Sequence, residues 1–305
     1  MIKGDYPEAE KLLLQTRALR EKILGNKHPD YAWSIYFLAS LYSRMRQNEK
    51  AETLYLEFIA VRERIFGKEH PDYSLAVYYT ANFYKDIRQY KKAETFYFEA
   101  IAIQEKVQGK EHPDYLISLN NLGVMYWIMG QYEKAAPLLL DIIAIRGKVL
   151  GKAHPDYASS LNNLGVLYID MGLYEKTESL YLEAKAIREK ALGKEHPDYG
   201  ASLNNLGILY SNMGQYEKAE PFYLEAKAIT EKKLGKEDID YASSLNNLGI
   251  LYWFMGQYEK AESLYLESKA IREKLQRKES VGYATLMYNL ALLYKDMGQY
   301  EKAES

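Results

Sequence analysis

The chain has 305 residues, a formal net charge of −2 and no cysteine. A charge this close to balance lacks the basic excess that nucleic acid or an anionic membrane surface rewards, and the missing cysteines exclude a disulfide framework and thiolate metal sites. The opening MIKGDYPEAEKLLL is not a signal peptide, and no apolar run approaches the ~18 residues of a membrane helix. A soluble cytoplasmic protein is predicted, with neither nucleic acid nor membrane as partner.

In chain order, residues 4–25 (GDYPEAEKLLLQTRALREKILG) match the second half of the unit that follows and predict an orphan second helix. From there a 42-residue block recurs, with Tyr31, Tyr73, Tyr115, Tyr157, Tyr199, Tyr241 and Tyr283 in strict register. Repeats are predicted to start near residues 29, 71, 113, 155, 197, 239 and 281, the last truncated at 305. Self-similarity at a period of ~20–50 residues marks a stacked array in which no unit buries its apolar face alone. Residues 1–305 are therefore expected to form a single array. Polar caps normally close such arrays, so Leu12, Leu13 and Leu19 would be partly uncovered. Either the sequence is an excerpt of a longer protein, or its open ends associate with other copies or partners.

The unit opening at Tyr157 shows how a repeat folds. Leu161, Leu164, Gly165 and Tyr168 fall on one helical face, and Asp170-Met171-Gly172-Leu173 breaks the helix. A second helix follows, with Thr177, Leu180, Tyr181, Ala184, Ile187 and Ala191 on its apolar stripe and charged residues, Arg188 among them, facing solvent. Gly193 ends it. Glycine inside a helix costs ~1 kcal/mol against alanine, so Gly165 and its counterparts Gly123, Gly207 and Gly249 predict a close helix crossing. Ala184, Ala226 and Ala100 are the small residues on the second helix. EKAE runs such as Glu217-Lys218-Ala219-Glu220 mix signs and read as a solvated outer face.

All the histidines stand in HPD triplets, at His28, His70, His112, His154 and His196. The two remaining periods carry Asp238 and Ser280 in that place. Aspartate and serine are strong N-cap residues, proline suits the first helical position, and the following aspartate favours the helix dipole. Capping accounts for every period, whereas a metal site would need ligands that cluster. No metal and no cofactor are expected.

The order small-Leu-Asn-Asn-Leu-Gly-x-x-Tyr, then Gly-x-Tyr-x-x-Ala, then Tyr-x-x-Ala resembles a tetratricopeptide repeat. It is carried by Leu203, Asn204, Asn205, Leu206, Gly207, Tyr210, Gly214, Tyr216, Ala219, Tyr223 and Ala226. The usual unit is ~34 residues. The longer period, the GKEHPDY linker and the LNNL core resemble the variety found in kinesin light chains and many bacterial proteins. The resemblance covers essentially the whole chain and implies an all-α, right-handed solenoid of antiparallel helix pairs. It differs from a kinesin light chain in lacking a heptad coiled coil. The basic cargo groove of that family is also unmatched at Trp127-Ile128-Met129, Ile169-Asp170-Met171, Ser211-Asn212-Met213 and Trp253-Phe254-Met255, which hold no lysine or arginine.

In such arrays the first helix of each pair lines the inner wall. The resemblance thus places Asn120, Asn162, Asn204 and Asn246 there, with Val124, Val166, Ile208 and Ile250 one turn later. The asparagines could hold an extended peptide's main chain, or could cap or bridge adjacent repeats, as Asn121, Asn163, Asn205, Asn247 and Asn289 are expected to do. Trp33, Tyr36, Tyr78, Trp127, Trp253, Phe254 and Tyr288 would supply aromatic anchors, with Trp127 and Trp253 exposed on the wall rather than buried between repeats.

Polar residues that recur with the period do not converge once, as a catalytic site requires, and no phosphate loop, HExxH or nucleophile elbow occurs. The expected function is non-enzymatic: a protein-interaction module binding a peptide or partner helix. The alternatives are a scaffold assembling through its uncapped ends, and the recognition part of a larger multidomain protein.

Overall fold

A computed structural model describes residues 6–275 and 277–304, all helix and connecting turn, with no strand among the described residues. The expected orphan helix begins at residue 4 and the last repeat ends at 305; residues 4, 5 and 305 lie outside the described residues. The helices group into two compact units. One holds α1 (Tyr6–Leu24), α2 (Pro29–Arg44), α3 (Asn48–Phe66), α4 (Pro71–Asp86), α5 (Tyr90–Val107), α6 (Pro113–Ile128) and α7 (Tyr132–Val149). The other holds α8 (Pro155–Asp170), α9 (Tyr174–Leu192), α10 (Pro197–Asn212), α11 (Tyr216–Leu234), α12 (Ile239–Phe254), α13 (Tyr258–Lys274), α14 (Val281–Asp296) and α15 (Tyr300–Glu304). Within each unit, connections of a few residues make successive helices antiparallel neighbours, and the pairs stack as an α-solenoid.

Each first helix starts where its linker sequence dictates. The Nδ1 of His28, His70, His112, His154 and His196 accepts the backbone N–H two residues on, at 3.1–3.2 Å. Asp238 Oδ1 does the same for Asp240 N at 2.8 Å, and Ser280 Oγ takes Tyr283 N at 3.2 Å. These side chains satisfy helix-start donors that would otherwise go unpaired.

Gly165 meets Tyr181 of α9 so closely that a Cβ would lie 2.2 Å from the ring's Cε1. At Gly207 and Gly249 the corresponding approaches to Tyr223 and Tyr265 are 2.8 and 2.5 Å. Gly123 differs, because Leu139 replaces the tyrosine and the nearest side-chain atom is 3.6 Å away. In the first two repeats buried Ala39 and Ala81 hold this register, with Tyr55 and Tyr97 in the register of Tyr181.

First helices are buried on more than one side. Leu167, Leu209 and Leu251 are buried along with Leu164, Leu206 and Leu248, and the core runs unbroken from Tyr181 to Leu293. Second helices bury one stripe, and two expectations there need correcting. Ala191, in the last turn of α9, is exposed. Arg188 does not face solvent: it is 6% exposed, with Nη1 donating to Asp198 O (3.1 Å) and Ser202 Oγ (2.9 Å) and Nη2 to Ser159 Oγ (3.0 Å). Burial lowers its pKa and Asp198 opposes the shift. These hydrogen bonds pair both terminal nitrogens of the buried guanidinium, whose desolvation would otherwise be costly, while Nε has no hydrogen bond.

The EKAE runs are also more than solvated charge. Tyr210 donates to Glu178 of the preceding repeat at 2.6 Å, Lys218 reaches the same carboxylate at 3.1 Å, and Tyr252 donates to Glu220 at 2.6 Å. Tyr42–Glu10 (2.6 Å), Tyr84–Glu52 (2.8 Å) and Tyr126–Glu94 repeat the strap in the other unit. In α1, Leu12 and Leu19 are exposed and Leu13 is half-buried.

Gly165→Ala, which must displace a buried ring, should lower stability by about 1–3 kcal/mol. Gly123→Ala should raise it by up to about 1 kcal/mol, because a Cβ is accommodated there. Urea denaturation of both variants would reveal the opposite signs. Burial pushes Tyr199, Tyr223 and Tyr252 up from 10.0 to about 12, helped at Tyr252 by Glu220. A folded-state pKa above the unfolded one gives a contribution fully present below pH 10 and lost as pH rises through about 12. Phenolate absorbance should accordingly lag behind free tyrosine and rise together with loss of helicity.

Candidate functional site

The asparagine pairs form a ladder between repeats. Asn247 Nδ2 donates to Asn204 Oδ1 at 2.8 Å, and Asn289 Nδ2 to Asn246 Oδ1 at 3.2 Å. In the other unit Asn121 Nδ2 donates to the Tyr78 hydroxyl at 2.8 Å and to Ile117 O at 3.1 Å. Tyr78 holds the register of the first asparagine. Apart from the contact to Ile117, the second asparagine in each case reaches back to the first-asparagine position of the repeat before it. Asn204 and Asn246 spend an acceptor on the stack, although each stays half-buried.

Asn162 departs from its expected place on the wall. It is only 7% exposed, with Oδ1 buried and without a hydrogen bond. Asn120, Val124, Val166 and Trp127 are half-buried, and Tyr288 is exposed.

Two cavities of about 420 Å³ open beside the ladder, one in each unit. That of the C-terminal unit brings Ile208 and Ile250 together with Ser211, Asn212, Tyr216 and Phe254. Phe254, 54% exposed, stacks on Tyr216 with ring centroids 5.8 Å apart and on Trp253 at 5.2 Å. Trp253 is half-buried, and its Nε1 donates to Asp296 Oδ2 of the next repeat at 2.8 Å. The aromatic row is thus fixed by its own contacts before any ligand arrives.

The cavity of the N-terminal unit occupies the same register four repeats earlier with different chemistry. Ser40, Asn82 and Asp86 stand where Ile208, Ile250 and Phe254 stand, and Arg44 takes the place of Asn212. Tyr36, Tyr78 and Tyr79 supply the aromatic surface, with Tyr36 and Tyr79 centroids 4.6 Å apart. Burial pushes the Tyr36 and Tyr78 phenols up, keeping both as neutral donors. Lys85 also lines this cavity, 3.7 Å from Asp86. Of the expected wall residues and anchors these cavities gather Ile208, Ile250, Phe254, Tyr36 and Tyr78; Val124, Val166, Trp127 and Tyr288 lie apart from both.

Arg44, Lys85 and Asp86 escape a comparison of first-helix ends that is confined to the four central repeats. Ser43-Arg44-Met45 and Lys85-Asp86-Ile87 are the same stretch in the first two, and reading the register to its start finds them. Among the described residues no group of His, Cys, Asp or Glu could hold a metal ion, and no helix is long and apolar enough to cross a membrane.

The Tetratricopeptide repeat family profile matches residues 1–64, 73–148, 156–232, 209–274 and 240–305. Among solved structures, the nearly identical TPR-like repeats of a putative kinesin light chain from Podosopora anserina are 31% identical, with a TM-score of 0.57 over 68% of this chain and 99% of that one. BtubC (BKLC) from P. vanneervenii is 25% identical, with a TM-score of 0.61 over 75% and 91%. A tetratricopeptide repeat protein from Parabacteroides merdae, 15% identical, shares the fold at 0.61 over 95% and 93%. Among curated proteins none matches.

The Asn204–Asn247 bond can be weighed by a double-mutant cycle in chemical denaturation. Alanine at both positions should show a coupling of about 0.5–1.5 kcal/mol. A coupling near zero would mean that the ladder does not hold the repeats together.

Proposed function

Because the chain belongs to the tetratricopeptide repeat family, whose members are in general protein-interaction modules, we propose that it binds a peptide or partner helix along its first helices. The observation that carries this reading is the pair of equivalent cavities. Each is lined by the second asparagine of a contact between repeats and is walled by aromatic side chains already held in place. Rigid aromatic anchors next to polar groups are what a recognition surface needs, since ordering costs little when the partner docks. The C-terminal site, with Ile208, Ile250 and Phe254, suits an apolar side chain. The N-terminal site, with Arg44, Lys85 and Asp86, suits a polar or charged one.

Asn204 and Asn246 have capacity left for a ligand, because each carboxamide keeps its amide donors after accepting one bond. The wall would act as a binding surface without chemistry, in a cytoplasmic protein.

Peptides selected from a displayed library against the intact chain should quench or shift tryptophan fluorescence. Ile208→Ser with Ile250→Ser should weaken the selected binders at least about tenfold, with helicity retained. Equal binding by this double variant would place the recognition surface elsewhere.

A further inference from the structure

An arginine recurs as a plug between successive repeats, buried at Arg62, Arg188 and Arg272 and half-buried at Arg20. Two of the four are held alike, while Arg272 donates from Nη2 to Ser243 Oγ at 3.0 Å. Arg20 Nη1 donates to Asp30 O and Ser34 Oγ, both at 3.0 Å, and Arg188 Nη1 donates to the equivalent Asp198 O and Ser202 Oγ. Arg62 uses the aspartate's carboxylate instead, at 3.0 Å from Asp72 Oδ1.

At residue 230 the plug is a threonine, whose hydroxyl turns back to Ala226 O at 3.0 Å. The acceptors that serve the arginine elsewhere are still present. Asp240 stands in the register of Asp198 and Asp72, and Ser244 in that of Ser202. Only the third partner is lost, because Ala201 replaces Ser159. Around them a cavity of about 260 Å³ remains open, lined by Thr230, Gly200, Ala201, Asp240 and Ser244, with Asn204 and Asn247 of the ladder on its wall.

Two further substitutions at this boundary add room and negative charge. Gly200 removes the Cβ present at Ala158 and Ala242, and Asp238 replaces the capping histidine two residues before Asp240. Lys233 also lines the cavity, but its ammonium stands 3.9 Å from Glu195, which offsets its charge. The volume is below the ~300–1,000 Å³ of ordinary small-molecule sites and matches a single side chain.

We propose that this cavity binds an alkylguanidinium group from outside the chain, taking the place of the missing arginine. The planar fork of a guanidinium can reach the Asp240 carbonyl, the Ser244 hydroxyl and the Asp240 carboxylate together, which a compact ammonium cannot. Two sources share this chemistry, the arginine of a partner polypeptide and a free arginine-like amine. The site does not depend on the groove reading.

The intact chain is titrated with Nα-acetyl-arginine amide and with agmatine, and with Nα-acetyl-citrulline amide as the uncharged control, following the side-chain amide resonances of Asn204 and Asn247. Guanidinium probes should shift these signals and citrulline should not. Binding of the acetylated amide, alone or with agmatine, supports a side chain in a polypeptide as occupant; binding of agmatine alone supports a free amine. Thr230→Arg should fill the cavity, raise the thermal midpoint and abolish probe binding. Asp240→Asn with Ser244→Ala should weaken binding at least about tenfold and leave helicity unchanged. The proposal is overturned if neither guanidinium probe binds, if citrulline binds equally well, or if the Asp240/Ser244 variant binds as the parent does.

Discussion

The ring of a buried tyrosine pressed against the backbone of a first helix fixes how close the two helices of a repeat can come. In α8–α9, α10–α11 and α12–α13 the contact needs glycine, because a Cβ at Gly165, Gly207 or Gly249 would overlap Tyr181, Tyr223 or Tyr265. Close approach brings the first-helix leucines together with the alanines and tyrosines of the second helices into one continuous core. It also sets where the next repeat must land, since a solenoid unit is stabilised by its intrinsic pairing and by the interface it offers its neighbour.

Polar groups then fix the register of that interface. The straps from Tyr210 to Glu178 and Tyr252 to Glu220, the ladder from Asn247 to Asn204, and the plug from Arg188 to Asp198 and Ser202 all run between consecutive repeats. Leucine against leucine tolerates sliding, whereas a buried guanidinium or carboxamide left unpaired is costly. The apolar core thus supplies affinity between repeats and the polar contacts supply one allowed alignment. Departures from the period become informative for the same reason: Thr230 leaves a space bordered by acceptors, and Arg44 and Asp86 turn an apolar cavity into a charged one.

Much of the site is open to a reading of the sequence, though unevenly. Ile208, Ile250 and Tyr78 are expected on the first-helix wall and do line cavities. Asn162 is expected there too and is buried, although Asn204 and Asn246 in the same register are only half-buried. Arg188 reads as a solvated charge since helical periodicity registers one apolar stripe; it cannot show that a third element closes over the polar edge of that stripe. The asparagine pairs look like ligand contacts or bridges, and only the distance between repeats shows Asn204 and Asn246 already accepting from the next one.

By itself the sequence determined the helices, the capped start of each first helix and their pairing, because capping and apolar periodicity act within some 40 residues of chain and recur with every period. The tertiary structure alone decided which polar groups are spent on stacking and which stay free. That choice depends on atoms a full repeat away, whose separation follows from how closely each pair packs and cannot be read from either partner's own register.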